Sequence, residues 1–204
     1  MTWMQTISGR AFDLLNPRAE DVDFADIAGH LARINRYCGA SVHPVSVAQH
    51  TLIVAEACPD DHRPWALLHD AHEAYLGDWL TPVKWTLSEI ACTGIDSADP
   101  DRFTSGEMVR LALRQMTRKV DAAIHAAAGL PVMAADKGRA ILRRADLIAL
   151  ATERRDFLSL PPKNWGAGIE SVRPLPRRQK PMSIGKAEEK LLAEFRRCLP
   201  ALMA

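Results

Sequence analysis

Apolar positions along the chain recur mostly three and four residues apart, and no repeat, low-complexity tract or long linker interrupts them. The pattern predicts an all-α fold. Phe24, Ile27, Leu31 and Ile34 lie 3, 4 and 3 apart on one face of a helix that Asp23 or Asp26 can cap and that Arg36-Tyr37-Cys38-Gly39 ends. A second helix is predicted from Pro44 to about Cys58 and a third from Pro64 to Leu76, where Gly77 suits a helix C-terminus. The stretch from Asp78 to Trp85, with Thr81-Pro82, reads as turn, and the polar segment from Cys92 to Gly106 reads as loop. Val109, Leu113, Met116, Val120 and Ile124 stripe a long helix from about Glu107 to Ala128, and another follows from about Lys137 to Leu158. Before these elements, Thr2 to Pro17 suits a short hairpin or an extended arm. After them, five of the 13 prolines crowd between Pro161 and Pro181, so an extended strap is expected before a last amphipathic helix, roughly Ile184 to Cys198, that presents Leu191, Leu192 and Phe195 to the body. The expected organisation is one compact domain over 1–204, with about six helices, a core at 23–160 and the strap and final helix at 161–204.

Composition narrows the function classes. A chain of 204 residues with 48% hydrophobic content hides roughly 70% of its unfolded surface on folding, so neither metal nor disulfide is needed merely to hold it together. The 26 basic residues nearly balance 25 acidic ones, which argues against a nucleic-acid polymer or an anionic membrane as partner. The four cysteines, Cys38, Cys58, Cys92 and Cys198, form no CxxC pair. With no signal-peptide pattern and no 18-residue apolar run, a cytoplasmic location is expected.

The informative residues are polar ones where a helix should be apolar. Val47, His50 and Val54 share a face of the second helix, so His50 points inward. In Leu67-Leu68-His69-Asp70-Ala71-His72-Glu73, His69 and Glu73 stand four apart beside core leucines, with Asp70 three before Glu73. Asp146 sits between Leu142 and Leu150 at i−4 and i+4 on the late helix. Taken singly, an inward His is more often a satisfied core residue, and an inward Asp more often the partner of an Arg. Together they pose a sharper problem, because a buried unpaired carboxylate costs several kcal/mol or shifts its pKa. A divalent cation satisfies both carboxylates and both imidazoles at once.

The pieces Ser46-Val47-Ala48-Gln49-His50, Leu68-His69-Asp70-Ala71-His72-Glu73-Ala74, Gly77-Asp78 with Thr81-Pro82-Val83-Lys84, and Arg144-Ala145-Asp146 resemble the HD-domain metal-dependent phosphohydrolases. Within them they are similar to the 5'-deoxynucleotidase branch, the YfbR-like proteins. The resemblance spans about Ile27 to Phe157. It implies His50, His69, Asp70 and Asp146 as ligands of one divalent ion, with Mn, Co, Mg, Zn and Fe not distinguished. The family's binuclear members carry two more ligand histidines between the His-Asp pair and the last Asp, whereas that interval here holds only His72 and His125. A mononuclear site is therefore expected.

Glu73 is the candidate for proton transfer, and Asp78 matches the family's second acidic residue, able to orient water or substrate. Arg36 and Tyr37 match an Arg-aromatic pair over phosphate and sugar, where the branch often has Trp or Phe at the second position; Lys84 matches a Pro-x-Lys that can reach phosphate. The implied reaction hydrolyses a deoxynucleoside 5'-monophosphate to nucleoside and phosphate. One rival is a deoxynucleoside triphosphate triphosphohydrolase, in which the basic run Arg173 to Lys180 would matter; the other is a metal-containing module that senses nucleotide or assembles with partners without turnover. His30, His43, His62 and His125 read as surface, loop or packing residues. Dimerisation is common in the resembled family, and the apolar final helix could face a sister subunit.

Overall fold

The chain opens with antiparallel strands β1 (Trp3–Gln5) and β2 (Ala11–Asp13), in register Met4 opposite Phe12. Gly9 turns between them at φ 83°, a left-handed conformation that costs glycine little. Phe12 is fully buried and stacks on Tyr75, ring centroids 3.7 Å apart. Two polar clamps hold the same hairpin: Asp26 accepts from Ser8 N (3.0 Å) and Oγ (2.7 Å), and His30 Nε2 accepts from Ile7 N while its Nδ1 donates to the Ala74 carbonyl. His30 therefore braces the hairpin against the short helix that carries Glu73.

The computed structural model describes residues 1–93, 102–133 and 136–203, and apart from this hairpin its regular structure is helical. Helix α1 (Phe24–Arg33) is capped by Asp23, whose carboxylate accepts from Ala25 N. Helix α2 (Val47–Ala57) starts after the expected Pro44, because Ser46 caps it through Gln49 N and first pairs with Asn35 as an isolated bridge. The expected third helix is two pieces, α3 (Arg63–Leu68) and α4 (Glu73–Leu76), separated by turns from His69 to His72. Gly77 ends α4 at φ 79°.

Helix α5 (Thr81–Thr93) occupies sequence expected to be turn; Thr81-Pro82 opens it, since proline's missing N–H costs nothing in a first turn. The expected loop from Cys92 to Gly106 lies partly outside the described residues, and where described it is helical, in the end of α5 and the start of α6 (Arg102–Ala127). Helices α7 (Asp136–Phe157), α8 (Ala167–Glu170) and α9 (Ile184–Cys198) follow, with the strap between α7 and α9 carrying only the short α8.

Ile27 and Leu31 of α1, Ile53 and Val54 of α2, Leu67 and Leu68 of α3, Val120 and Ile124 of α6, and Leu191 and Phe195 of α9 fill the core. Each such side chain contributes roughly 1.5–3 kcal/mol of burial. The final helix packs on α1 and α2. Its Leu191 and Phe195 are fully buried against the body, as the spacing predicts, and Leu192 is half-buried beside them. The strap is fixed by Asp156, which accepts from Arg155, Arg178 and Gln179 N.

Candidate metal centre

Three stretches converge on one point: α2 brings His50, the turn between α3 and α4 brings His69 and Asp70, and α7 brings Asp146. The break after Leu68 matters here. Neighbouring residues on a regular helix diverge by about 100°, yet His69 Nε2 and Asp70 Oδ2 stand 3.1 Å apart. His50 Nε2 lies 3.2 Å from His69 Nε2, 3.3 Å from Asp146 Oδ1 and 3.5 Å from Asp70 Oδ2.

Both imidazoles are oriented from behind. His50 Nδ1 donates to Glu153 Oε1 at 2.7 Å, and His69 Nδ1 donates to the Ala66 carbonyl at 2.7 Å. With both Nδ1 protons committed, the neutral rings aim two lone pairs at each other across 3.2 Å, and at most one proton fits between them. Two carboxylates stand beside that gap. The arrangement calls for positive charge at its centre, and its dimensions suit an ion. Donors about 2.1 Å from a metal lie about 3.0 Å apart at octahedral right angles and about 3.4 Å apart in a tetrahedron. His50, His69 and Asp146 offer donor atoms all within 4.8 Å of one another, as do Asp70, His72 and Glu73.

The same field appears in the titration of these groups. Burial works against the charged His50 ring, and so does Arg36, but Glu153, Asp146 and Asp70 prevail and hold it well above its ordinary value. Burial likewise opposes protonation of His69, and Asp70 overrides it. Burial pushes Asp70 upward, but His69 and His50 hold it well below the usual carboxylate range.

A cavity of about 650 Å³ borders the centre, and its walls include Asp70, Glu73, Asp78, Asp146, Arg36, Tyr37 and Lys84. Glu73 is buried, and its Oε2 has no hydrogen-bond partner. Burial first, then the carboxylates of Asp70 and Asp78, push its carboxyl up to about 9. Burial also raises Asp78. Tyr37 stands against Trp165 with ring centroids 6.0 Å apart.

Tyr37 and Cys38 both adopt left-handed backbone, φ 57° and 51°, a conformation that costs non-glycine residues roughly 1–3 kcal/mol. That twist goes with the Tyr37 hydroxyl donating to Glu153 Oε2 at 2.5 Å, where Arg36 Nε also donates at 3.1 Å. Burial opposes the Arg36 charge, but Glu153 foremost keeps it raised.

Every residue singled out from the sequence thus lies at the centre or its cavity, except that the basic run from Arg173 to Lys180 does not line it. Arg178 pairs with Asp156 instead. The residues not foreseen are Glu153, Trp165 and Asp121, the last accepting from His72 Nδ1 at 3.0 Å. His125, expected only as surface, loop or packing, is buried.

Fold and site together define an all-α protein with a candidate His/Asp metal centre. No family model matches the chain. The chain is 34% identical over 157 residues to the uncharacterized protein YfdR of Escherichia coli (strain K12), covering 77% of this chain and 73% of YfdR. It belongs to the YfdR family. It is also 39% identical over 120 residues to the uncharacterized protein RCAP_rcc00048 of Rhodobacter capsulatus, covering 54% of this chain and 59% of that protein.

Proposed function

We propose that the protein is a metal-dependent phosphohydrolase that cleaves the 5'-phosphate ester of a deoxynucleoside monophosphate, with His50, His69, Asp70 and Asp146 holding one divalent ion. One observation carries the reading: two imidazoles with committed Nδ1 protons bring their Nε2 atoms within 3.2 Å beside two carboxylates, at the edge of a cavity that also presents cations and a buried acid. The resemblance to HD-domain phosphohydrolases agrees with it. A divalent ion held there supplies charge for a phosphoryl oxygen and lowers the pKa of a water.

The chain's own groups then have distinct tasks. Arg36, anchored through Nε to Glu153, meets phosphoryl oxygens with its remaining nitrogens. Lys84 adds a second positive charge to the same cavity. Glu73, neutral near pH 7 because burial raises it to about 9, gives its proton to the departing 5'-oxygen. Asp78 orients the water or the sugar, and Tyr37 with Trp165 forms an aromatic wall for the nucleoside.

A monophosphate is favoured over a triphosphate because no residue of the basic run from Arg173 to Lys180 lines the cavity, and Arg178 within it pairs with Asp156 instead. Among the described residues no helix is long and apolar enough to cross a membrane, and a cytoplasmic site of action goes with this reading.

The test is product analysis of Mn-loaded protein on deoxynucleoside mono- and triphosphates. Phosphate released from the monophosphate is expected, with Glu73→Gln retaining metal and losing roughly 10²–10⁴-fold in turnover. Triphosphate as the product would establish the triphosphohydrolase instead. Metal-loaded protein that binds nucleotide without turnover would leave the sensing module.

A further inference from the structure

A second cavity, of about 520 Å³, also borders the metal centre, yet it shares no wall residue with the first. His69 is part of its wall. The other polar groups come from helices that meet beside it: Arg118, Asp121 and His125 from α6 and Arg139 from α7, with the Trp65 indole from α3. The volume falls in the range of small-molecule sites, roughly 300–1,000 Å³.

Its chemistry is that of an anion site with an aromatic floor. Arg118 has no ion-pair partner among the described residues, and Asp121, the nearest acid on its own helix, is engaged by His72. Trp65 donates Nε1–H to the Pro131 carbonyl at 2.9 Å, which fixes the indole in the wall, with the His62 ring tilted against it at 6.4 Å between centroids. His125 is only 8% exposed, and its Nδ1 is buried without a hydrogen-bond partner. An orphaned buried ring nitrogen is costly unless something meets it. The Pro131 backbone lies close to the ring but does not meet Nδ1 at hydrogen-bond geometry, so a polar group from a ligand is the natural partner.

We propose that this cavity is a second ligand site, for a nucleoside monophosphate or a molecule of that chemistry. Arg118 takes the phosphate, the Trp65 ring carries the base, and His125 Nδ1 meets a polar edge. Occupancy reaches the metal centre by two routes. His69 is at once cavity wall and candidate ligand, and Asp121 is at once cavity wall and the clamp on His72, whose ring lies within 4.8 Å of Asp70 and Glu73. Binding here does not depend on the hydrolase reading; its effect on the centre rests on His69 being a metal ligand.

The experiment is a calorimetric titration of metal-stripped Arg36→Ala protein, whose first cavity is weakened, with deoxyadenosine monophosphate and, separately, inorganic phosphate. Saturable 1:1 binding of the nucleotide is expected. Adding Arg118→Ala, a surface change that spares the core, should weaken it at least tenfold, while Trp65→Phe should weaken the nucleotide and leave phosphate unchanged. Nitrogen NMR should show the His69 ring resonance moving with nucleotide in the Arg36→Ala protein and standing still once Arg118 is replaced. No saturable binding in Arg36→Ala, or binding indifferent to Arg118→Ala, would overturn the second site. Failure of the metal-loaded wild type to release phosphate would overturn the hydrolase reading alone.

Discussion

Glu153 is fully buried, and its two oxygens are divided between His50 Nδ1 on one side and Arg36 Nε with the Tyr37 hydroxyl on the other. It joins a candidate metal ligand to the groups proposed to hold substrate. Burial works against its charge, but His50 and Arg36 bring its carboxyl down to about 2. Partners that orient a metal-binding imidazole are worth 10–100-fold in metal affinity. Glu153→Gln is therefore expected to weaken metal binding by about that factor, read by competition with a chelating dye. It should also lower stability by about 3–5 kcal/mol, because the Arg36 charge stays buried without its counter-ion. The pH dependence at this scale belongs to Glu73. As the proposed proton donor, Glu73, raised to about 9, gives up its proton as pH rises through that value, so kcat is expected to fall on the alkaline side, and Glu73→Gln to lack that limb.

His50 and Asp146 could be read from the sequence because each interrupts an apolar helix face, where an unpaired polar group is costly. Glu153 obeys the same rule, lying between Ala149 and Phe157 at i−4 and i+4, both buried. It was hidden by its neighbours: Glu153-Arg154-Arg155-Asp156 looks like a solvated helix end, and nothing local says that Arg36 arrives from 117 residues away. The orphaned Nδ1 of His125 has no sequence signature at all.

At the scale of elements, helix ends marked by Asp23 and Gly77 were legible. Breaks imposed by tertiary geometry were not. The run from Pro64 to Leu76 has the periodicity of one helix, yet the chain turns at His69 to His72 so that adjacent His69 and Asp70 face one another. Thr81-Pro82 misled in the opposite direction, because the same dipeptide serves a turn or a first helical turn.

The strap shows how an element without regular structure is held. Asp156 is pushed up by burial, but Arg155 and the Gln179 N–H foremost keep it lowered from its ordinary 3.8. A folded value below the unfolded one stabilises fully above that ordinary value and is lost as pH falls through the folded one. Asp156→Asn should therefore melt lower than wild type at pH 6, and the gap should close below about pH 3.8. A gap that persisted in acid would mean that the strap is held by packing rather than by this carboxylate.

For the whole molecule, α1, α2, α3, α6 and α9 bury an apolar core of their own, and a chain of this length is expected to need no ion to hold it together. Chelation is expected to leave the far-UV circular dichroism helical. It should lower the melting temperature only by the binding linkage, about 2.7 kcal/mol for an ion present at 100 times its Kd. Collapse of helicity on chelation would make the ion a structural staple and would remove the reason for reading the inward His and Asp residues as catalytic.

The central claim is that His50, His69, Asp70 and Asp146 hold a divalent ion, and elemental analysis of the purified, dialysed chain tests it most directly. One ion per chain is predicted for wild type, falling to near zero in Asp70→Ala protein that retains its helical spectrum. Metal content that Asp70→Ala leaves unchanged, or a wild type that retains no ion when dialysed against micromolar Mn, would contradict it.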